Sequence, residues 1–504
     1  MFSILKKIPL WAWLIFGFLL LNIATYDWYT SVWNDEGTYT DPSANLYFGH
    51  GFTSTAWAQS KEEYWVVNSP LYPFLLFVWF KLAGFGIFQV RVLGYLLWSG
   101  AVALICLTVQ RARLVRSPAA VAGLATLLFS GYGLVFNYRS GRYDPLELLV
   151  LAACFLAFTI PKPGWRRTAI FLSAVLFLPT ALTTGPFVAG FGALIFLVTG
   201  RRFFLELCSL AAGLATGFAA LVAYLHWTGM WETYRRITVY YSQGFYQGYY
   251  RPDAPLWKQK LAAFPHKLLQ DPTSAILLLI LLAVYILSRK NLDATGRRLV
   301  FLGTATFFIV PALAQTTYTY QIYHCWETYI PLTVCLLSLL EQPGDILPAR
   351  SRKLVFTLLA LVFFGFGPGL RLGLESTDIA GRDYSKVEAF VGKTIHSTDV
   401  VMADFQAFYP LHKLKVTAYY YPPYLEIIKP REGDEITCLI INPRWLNAIR
   451  GKIGGSWVAT GESYTQENKF NIAWLDRLFP GYYEHQSNHK YNLVVYRRAS
   501  APTK

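Results

Sequence analysis

Charge is what this sequence has least of. Asp, Glu, Lys and Arg make up 15% of its 504 residues, against roughly 25% in a soluble globular protein. That scarcity excludes a water-soluble fold, because the apolar residues, 54% of the chain, gather into blocks of about 14–21, the length that crosses a hydrocarbon core of about 30 Å. A cleavage signal is missing too. Lys6-Lys7 followed by 8–24 has the form of a signal peptide, yet no small-x-small site follows, so the segment reads as an uncleaved signal anchor. The six cysteines are scattered, and Cys106, Cys154, Cys208 and Cys335 fall inside apolar runs. That points to buried packing and excludes a disulfide framework or a zinc site. Cys325 and Cys438 are not expected to meet. Metal-ligand spacing is absent as well: His50 and His324 stand alone, and Gln-Ser-Asn between His485 and His489 disfavours the helix that would pair them. No repeat or low-complexity tract stands out.

A net charge of +15 would suggest a nucleic-acid partner in a soluble chain; here its placement matters more. Cytoplasmic loops are enriched in Lys and Arg. Lys6-Lys7, Arg111/Arg113/Arg116, Lys162/Arg166/Arg167, Arg201/Arg202, Arg289/Lys290/Arg297/Arg298 and Arg350/Arg352/Lys353 all fit one side, whereas 26–69 holds Lys61 alone against six acids. Between Lys7 and Arg111 lie three apolar segments, 8–25, 70–88 and 91–110, although both ends belong inside. Parity therefore lays the weakest, 70–88, on the outer membrane surface as an interfacial helix; a genuine span is the alternative. The remaining spans are 118–137, 145–160, 168–183, 186–199, 203–225, 273–288, 299–314, 328–341 and 354–370. The expectation is a polytopic α-helical membrane protein with about eleven spans over 1–370, its N-terminus cytoplasmic. Four polar connections, 26–90, 138–144, 226–272 and 315–327, face outward, followed by a mixed α/β extracytoplasmic domain over 371–504. In that tail Val400-Val401-Met402, 438–441 and 493–496 read as strands.

Ionisable groups are almost absent from span interiors, with Glu147 and Glu206 near ends, which disfavours an ion-coupled transporter. Acids, arginines and tyrosines concentrate on the outer side instead, favouring a reaction at the outer leaflet. Asp35 and Glu36 follow the first span directly; they are either solvated loop acids or a reactive carboxylate pair. In the short connection 138–144, Arg139 and Arg142 flank Asp144. They form a structural ion pair or grip a phosphate, which the planar guanidinium fork suits. The loop 226–272 carries Arg251 and the aromatic run 240–250, either a lid over a sugar-lipid site or interfacial anchoring. Tyr318, Tyr320, Tyr323 and His324 precede Tyr329 and offer a further hydrogen-bonding wall.

At these residues the chain resembles the C-type glycosyltransferases that use polyprenyl-phosphate-linked sugars, in the branch of the protein O-mannosyltransferases and lipid A aminoarabinose transferases. Asp35-Glu36-x-x-Tyr39 resembles the first-loop Asp-Glu signature. The segment 68–73 through Lys81-Leu82-Ala83-Gly84 to Arg91-Val92-Leu93 is similar to the Pro-Pro-Leu…Lys-Leu-Phe-Gly…Ala-Arg-Leu segment, a juxtamembrane helix in that family. Arg142-Tyr143-Asp144 resembles the second-loop Arg-x-Asp, and Tyr329-Ile330-Pro331 the later Tyr-Leu-Pro. Two departures are plain: Thr183-Thr184-Gly185-Pro186 stands where the family often has Thr-Lys-Gly-Pro, and Ser69 replaces the first Pro.

The resemblance implies a GT-C type fold with outer juxtamembrane helices. It also implies transfer of a sugar from a polyprenyl phosphate to an acceptor hydroxyl on a glycan, lipid or protein, with inversion, at the periplasmic face of an inner membrane. Asp35 is then the general base, Glu36 assists or organises the loop, and Asp144 orients the acceptor or the first loop. Arg139 and Arg142 stabilise the departing phosphate, and Tyr39, Tyr143, Arg251, His324 and Tyr329 contact substrate. No cofactor is expected; a divalent metal is compatible with the chemistry, but no ligand set stands out. Other classes are a lipid-linked sugar flippase, a metal-dependent oligosaccharyltransferase, whose Trp-Trp-Asp-Tyr-Gly signature the tail lacks, and a non-catalytic scaffold.

Overall fold

The computed structural model describes residues 8–28, 31–66, 70–239, 255–317, 320–342, 349–376, 382–421, 423–465 and 491–499. Its principal helices are α1 (Leu10–Ala24), α2 (Asn34–Phe48), α3 (Leu71–Ala83), α4 (Ile87–Arg111), α5 (Pro118–Ser130), α6 (Tyr132–Arg139), α7 (Asp144–Ala157), α8 (Pro163–Val175), α9 (Thr184–Thr199) and α10 (Phe204–Trp227). They continue with α11 (Pro272–Ser288), α12 (Ala294–Thr317), α13 (Trp326–Leu340), α14 (Ala349–Phe364), α15 (Tyr384–Thr394) and α16 (Phe408–Leu414). Each of the eleven expected apolar segments is thus occupied by helix.

By length and composition, four runs are long and apolar enough to cross a membrane: Ile87–Arg111, Thr184–Trp227, Ala294–Thr316 and Arg352–Gly373. Counting each of two bent pairs as one span makes six. The run Thr184–Trp227 has 44 residues, about 66 Å at 1.5 Å per residue, twice a hydrocarbon core. It is interrupted at Gly200, whose φ is 61°, next to Arg201 and Arg202. The expected single span 118–137 bends by 65° between α5 and α6. Gly131 stands at the bend, and the Tyr329 ring fills the corner, with its Cζ 2.9 Å from where a Cβ on that glycine would lie.

Helix α3 has 13 residues, about 20 Å, too short to cross the core. Tyr72, Leu76 and Phe80 are buried, while Phe74, Val78 and Leu82, one i, i+4 stripe, are 54%, 40% and 78% exposed. An apolar stripe on a short helix suits the plane of a membrane interface. Three expectations are corrected. The acidic stretch after α1 is helical, and residues 36–45 of α2 are buried. The connection 138–144 shrinks to 140–143, because Arg139 ends α6 and Asp144 begins α7. Cys208 is exposed on α10 rather than packed, whereas the other five cysteines are buried and all six are free.

The tail forms a five-stranded sheet in the order β2-β1-β3-β5-β4. The strands are β1 (Val400–Ala403), β2 (Thr417–Tyr420), β3 (Cys438–Ile441), β4 (Trp457–Thr465) and β5 (Asn492–Arg498). β1 runs parallel to β2 and β3, and β5 pairs antiparallel with β3 and β4. The three expected strands are β1, β3 and β5; the two edges, β2 and β4, carry weaker apolar signals. Side chains alternate across a strand, so the sheet buries two faces. Val401, Ala403, Cys438, Ile440, Leu493 and Val495 join the same buried core as the helices. Met402, Leu439, Ile441 and Tyr496 close a second, smaller core with Tyr419, Tyr424 and Trp457.

Candidate functional site

Helix α2 starts after an extended Trp33 and ends at Gly49, whose φ of 90° closes the last turn. Asp35 and Glu36 occupy the first turn, where the unsatisfied N–H groups favour negative charge. Its interior is polar yet buried, so every side chain needs a partner. Glu36, 0% exposed, accepts from Arg91 Nε at 3.1 Å and Nη2 at 2.8 Å, and from the Tyr409 hydroxyl at 3.0 Å. Asp41 Oδ2 accepts from Ser54 Oγ at 2.7 Å and the Thr55 and Ala56 amides at 2.7 and 3.1 Å. Its Oδ1 meets His412 Nε2 at 2.9 Å.

The turn 140–143 is pressed against this helix. Trp33 Nε1 donates to the Ser140 carbonyl at 3.1 Å, and Tyr72 donates to the Gly141 carbonyl at 3.1 Å. Gly141 has φ 65°, and a Cβ there would lie 2.7 Å from Glu36 Cγ, so both its backbone and its neighbour demand glycine. The turn delivers Arg142 between two carboxylates. Its Nη1 pairs with Asp35 and its Nε donates to Asp144 Oδ2 at 2.7 Å. The guanidinium lies 3.7 Å from the Tyr323 ring centre, 5.3 Å from Tyr143, 5.6 Å from Tyr39 and 5.9 Å from Trp33, an aromatic box that favours a cation. Tyr39 and Tyr143 meet edge to face at 4.8 Å.

Within the cluster only Asp35 reaches solvent: its side chain is 19% exposed, against 1% for Arg142 and 0% for Asp144. Burial raises the Asp35 carboxyl above its ordinary range; Arg142 opposes that rise and Asp144 adds to it. Burial alone would lower the Arg142 guanidinium, yet Asp144 and Asp35 hold it well above its usual value. Burial, then Arg142 and Lys267, drives His324 well below the imidazole range, so its ring is neutral. Asp144 Oδ1 is buried with no hydrogen-bond partner among the described residues.

The expected site residues divide in space. Asp35, Tyr39, Arg142, Tyr143 and Asp144 converge, and His324 stands beside them, its ring 4.6 Å from that of Tyr323. Glu36 is turned into the interior by Arg91. Arg139 is bonded to α1, through Asn22 Oδ1, Thr25 Oγ1 and the Thr25 carbonyl. The Tyr329 hydroxyl donates to the Leu127 carbonyl at 3.0 Å, tying α13 to α5. Arg251 and the aromatic run 240–250 lie outside the described residues, as do Tyr318, His485 and His489. Thr183 and Thr184 both donate to the buried Glu147, at 3.1 and 2.6 Å. Tyr409, His412 and Asp41 escaped sequence reasoning as site residues, whereas Tyr323, expected in a hydrogen-bonding wall, lies over Arg142. Arg91 did carry a signal: a charge at the mouth of an apolar run needs a partner. Among the described residues no three His, Cys, Asp or Glu side chains are grouped to hold a metal ion.

No protein-family model matches the chain, and no curated protein matches it. Among solved structures it is similar to ArnT from Cupriavidus metallidurans bound to undecaprenyl phosphate, with TM-score 0.59 and 11% identity over 97% of this chain and 98% of that one. The same protein in the apo state aligns at TM-score 0.48 and 11% identity over 98% and 99%. The first likeness shows the fold, which is the GT-C type expected from the residues.

Proposed function

We propose that this GT-C chain is a multi-pass inner-membrane glycosyltransferase, moving a sugar from a polyprenyl-phosphate donor to an acceptor hydroxyl at the periplasmic face. The observation that carries the reading is the Asp35–Arg142–Asp144 cluster, in which one solvent-reaching carboxylate shares a buried guanidinium with a second, closed one. Support for the donor class comes from the fold shared with a protein solved with undecaprenyl phosphate.

In this mechanism the acceptor oxygen attacks the anomeric carbon as its bond to the phosphate oxygen breaks, which inverts the centre. Asp35 takes the acceptor proton, and the electron pair of the broken bond leaves on the polyprenyl phosphate. Arg142 neutralises that charge. In the resting chain Arg142 already pairs with Asp35, so an arriving phosphate draws the guanidinium away and frees the base. Asp144 keeps Arg142 from following completely. Tyr39 and Tyr143 supply faces for the sugar ring. Arg139, at the end of α6 and bonded to Asn22 of α1, acts on the donor's lipid side, and the proposed eleven crossings put the tail outside with the catalytic helix.

The test is consumption of undecaprenyl-phosphate-linked hexoses and pentoses by the purified chain in lipid, beside Asp35→Asn. Loss of a donor with wild type alone, by a factor of about 100 to 10,000, is expected for removal of a general base. Equal consumption by both removes Asp35 from that role. Movement of the donor across the bilayer by both, without transfer, makes the chain a flippase.

A further inference from the structure

We propose that the C-terminal part of the chain holds Asp35 in working position, with Tyr409 and His412 as its positioning residues. The inference rests on Asp35 being the base of the reaction above. Asp35 has Arg142 as its ion-pair partner, and one guanidinium that must also serve the donor cannot by itself fix the carboxylate. The helix around it is held from the other side. Tyr409, on α16, adds a third donor to Glu36, the residue next to Asp35, beyond the two from Arg91.

One residue further on, the Phe405 ring lies against Gly37, where a Cβ would come within 2.3 Å of its Cδ1. One turn further again, His412 bonds Asp41 at 2.9 Å, its ring set among Phe48, Phe85, Phe408 and Tyr420. The strand edge completes the seating: the Tyr420 amide donates to the Thr55 carbonyl at 3.1 Å, and the Val32 amide donates to the Tyr491 hydroxyl at 3.3 Å. Contacts at 32, 36, 37, 41 and 55 bracket position 35 on both sides. None of these groups bonds to Arg142 or Asp144, so their effect on the reaction passes through α2.

The experiment compares the full chain in lipid nanodiscs with Tyr409→Phe, His412→Ala and His412→Asn. Lys413→Ala, on the same helix and paired at the surface with Glu388 of α15, is the control. Two quantities are read: hydrogen exchange of amides 34–48, and kcat and KM for an undecaprenyl-phosphate-linked sugar. Positioning predicts that Tyr409→Phe and His412→Ala raise exchange in 34–48 selectively. It also predicts that both lower kcat by about tenfold to a hundredfold, the cost of a misplaced reacting group, with donor KM nearly unchanged. His412→Asn, which keeps an N–H donor, recovers part of both, and Lys413→Ala moves neither. Unchanged exchange in 34–48, or a rise spread evenly over the chain, overturns the proposal. A wild type that consumes no donor refutes the reaction instead, and the exchange arm then decides the positioning alone.

Discussion

At the residue scale, Asp35 and Glu36 are neighbours in sequence with opposite settings. Glu36 has three donors and no water, so its charge is spent on structure; Asp35 has one ion-pair partner and an open side. The pH dependence of turnover follows from that contrast. Burial raises the Asp35 carboxyl, and a base must be ionised to work. Turnover therefore falls as pH drops through a value above the usual carboxylate range of about 4. In the proposed reaction donor binding removes Arg142, whose charge lowered that value, and brings phosphate charge; both changes raise it. The acid limb of kcat, reporting the bound complex, is expected at higher pH than that of kcat/KM, reporting the free protein. A pH–rate profile over both parameters checks this; coincident limbs would mean that Arg142 never leaves Asp35.

At the scale of elements, the apolar helices were legible because long apolar runs leave the backbone few ways to satisfy itself beside a bilayer. Helix α2 was not. Its residues are those of a solvated loop, and only partners far along the chain, Arg91, Ser54, Tyr409 and His412, make it a buried helix. The sequence singled out the Asp-Glu pair and the Arg-x-Asp turn, and the structure brings Asp35, Arg142 and Asp144 together; that Glu36 turns away to Arg91 needed three dimensions. Tyr329 illustrates the same limit: its place in a motif suggested substrate, but its hydroxyl closes the α5–α13 contact. Tyr329→Phe is expected to cost about 1 kcal/mol of stability, the net worth of one buried hydrogen bond. Donor KM should stay unchanged. A thermal melt alongside a donor titration separates the two; a raised KM with an unchanged melt returns Tyr329 to the site.

At the scale of the whole molecule, the proposal of eleven crossings predicts that the two ends of the helical region lie on opposite sides. The basic clusters were the ruler for that reading, since charge resists transfer through lipid. Labelling intact cells with a membrane-impermeant maleimide tests it. Lys393→Cys, on α15, should be modified, and Arg111→Cys, at the end of α4, should be protected until the membrane is opened. Modification of both in intact cells would place Arg111 outside and break the parity argument.

The order of synthesis gives the sheet a further meaning. β5 is made after β3 and β4, yet it is inserted between them, and Tyr491 just before it bonds Val32 just ahead of α2. The acidic helix leaves the ribosome long before β5 and waits for that strand before its surroundings are complete. An unfinished chain, already threaded into the membrane, therefore carries the carboxylate without its setting. The setting of the carboxylate is complete only once β5 has been made.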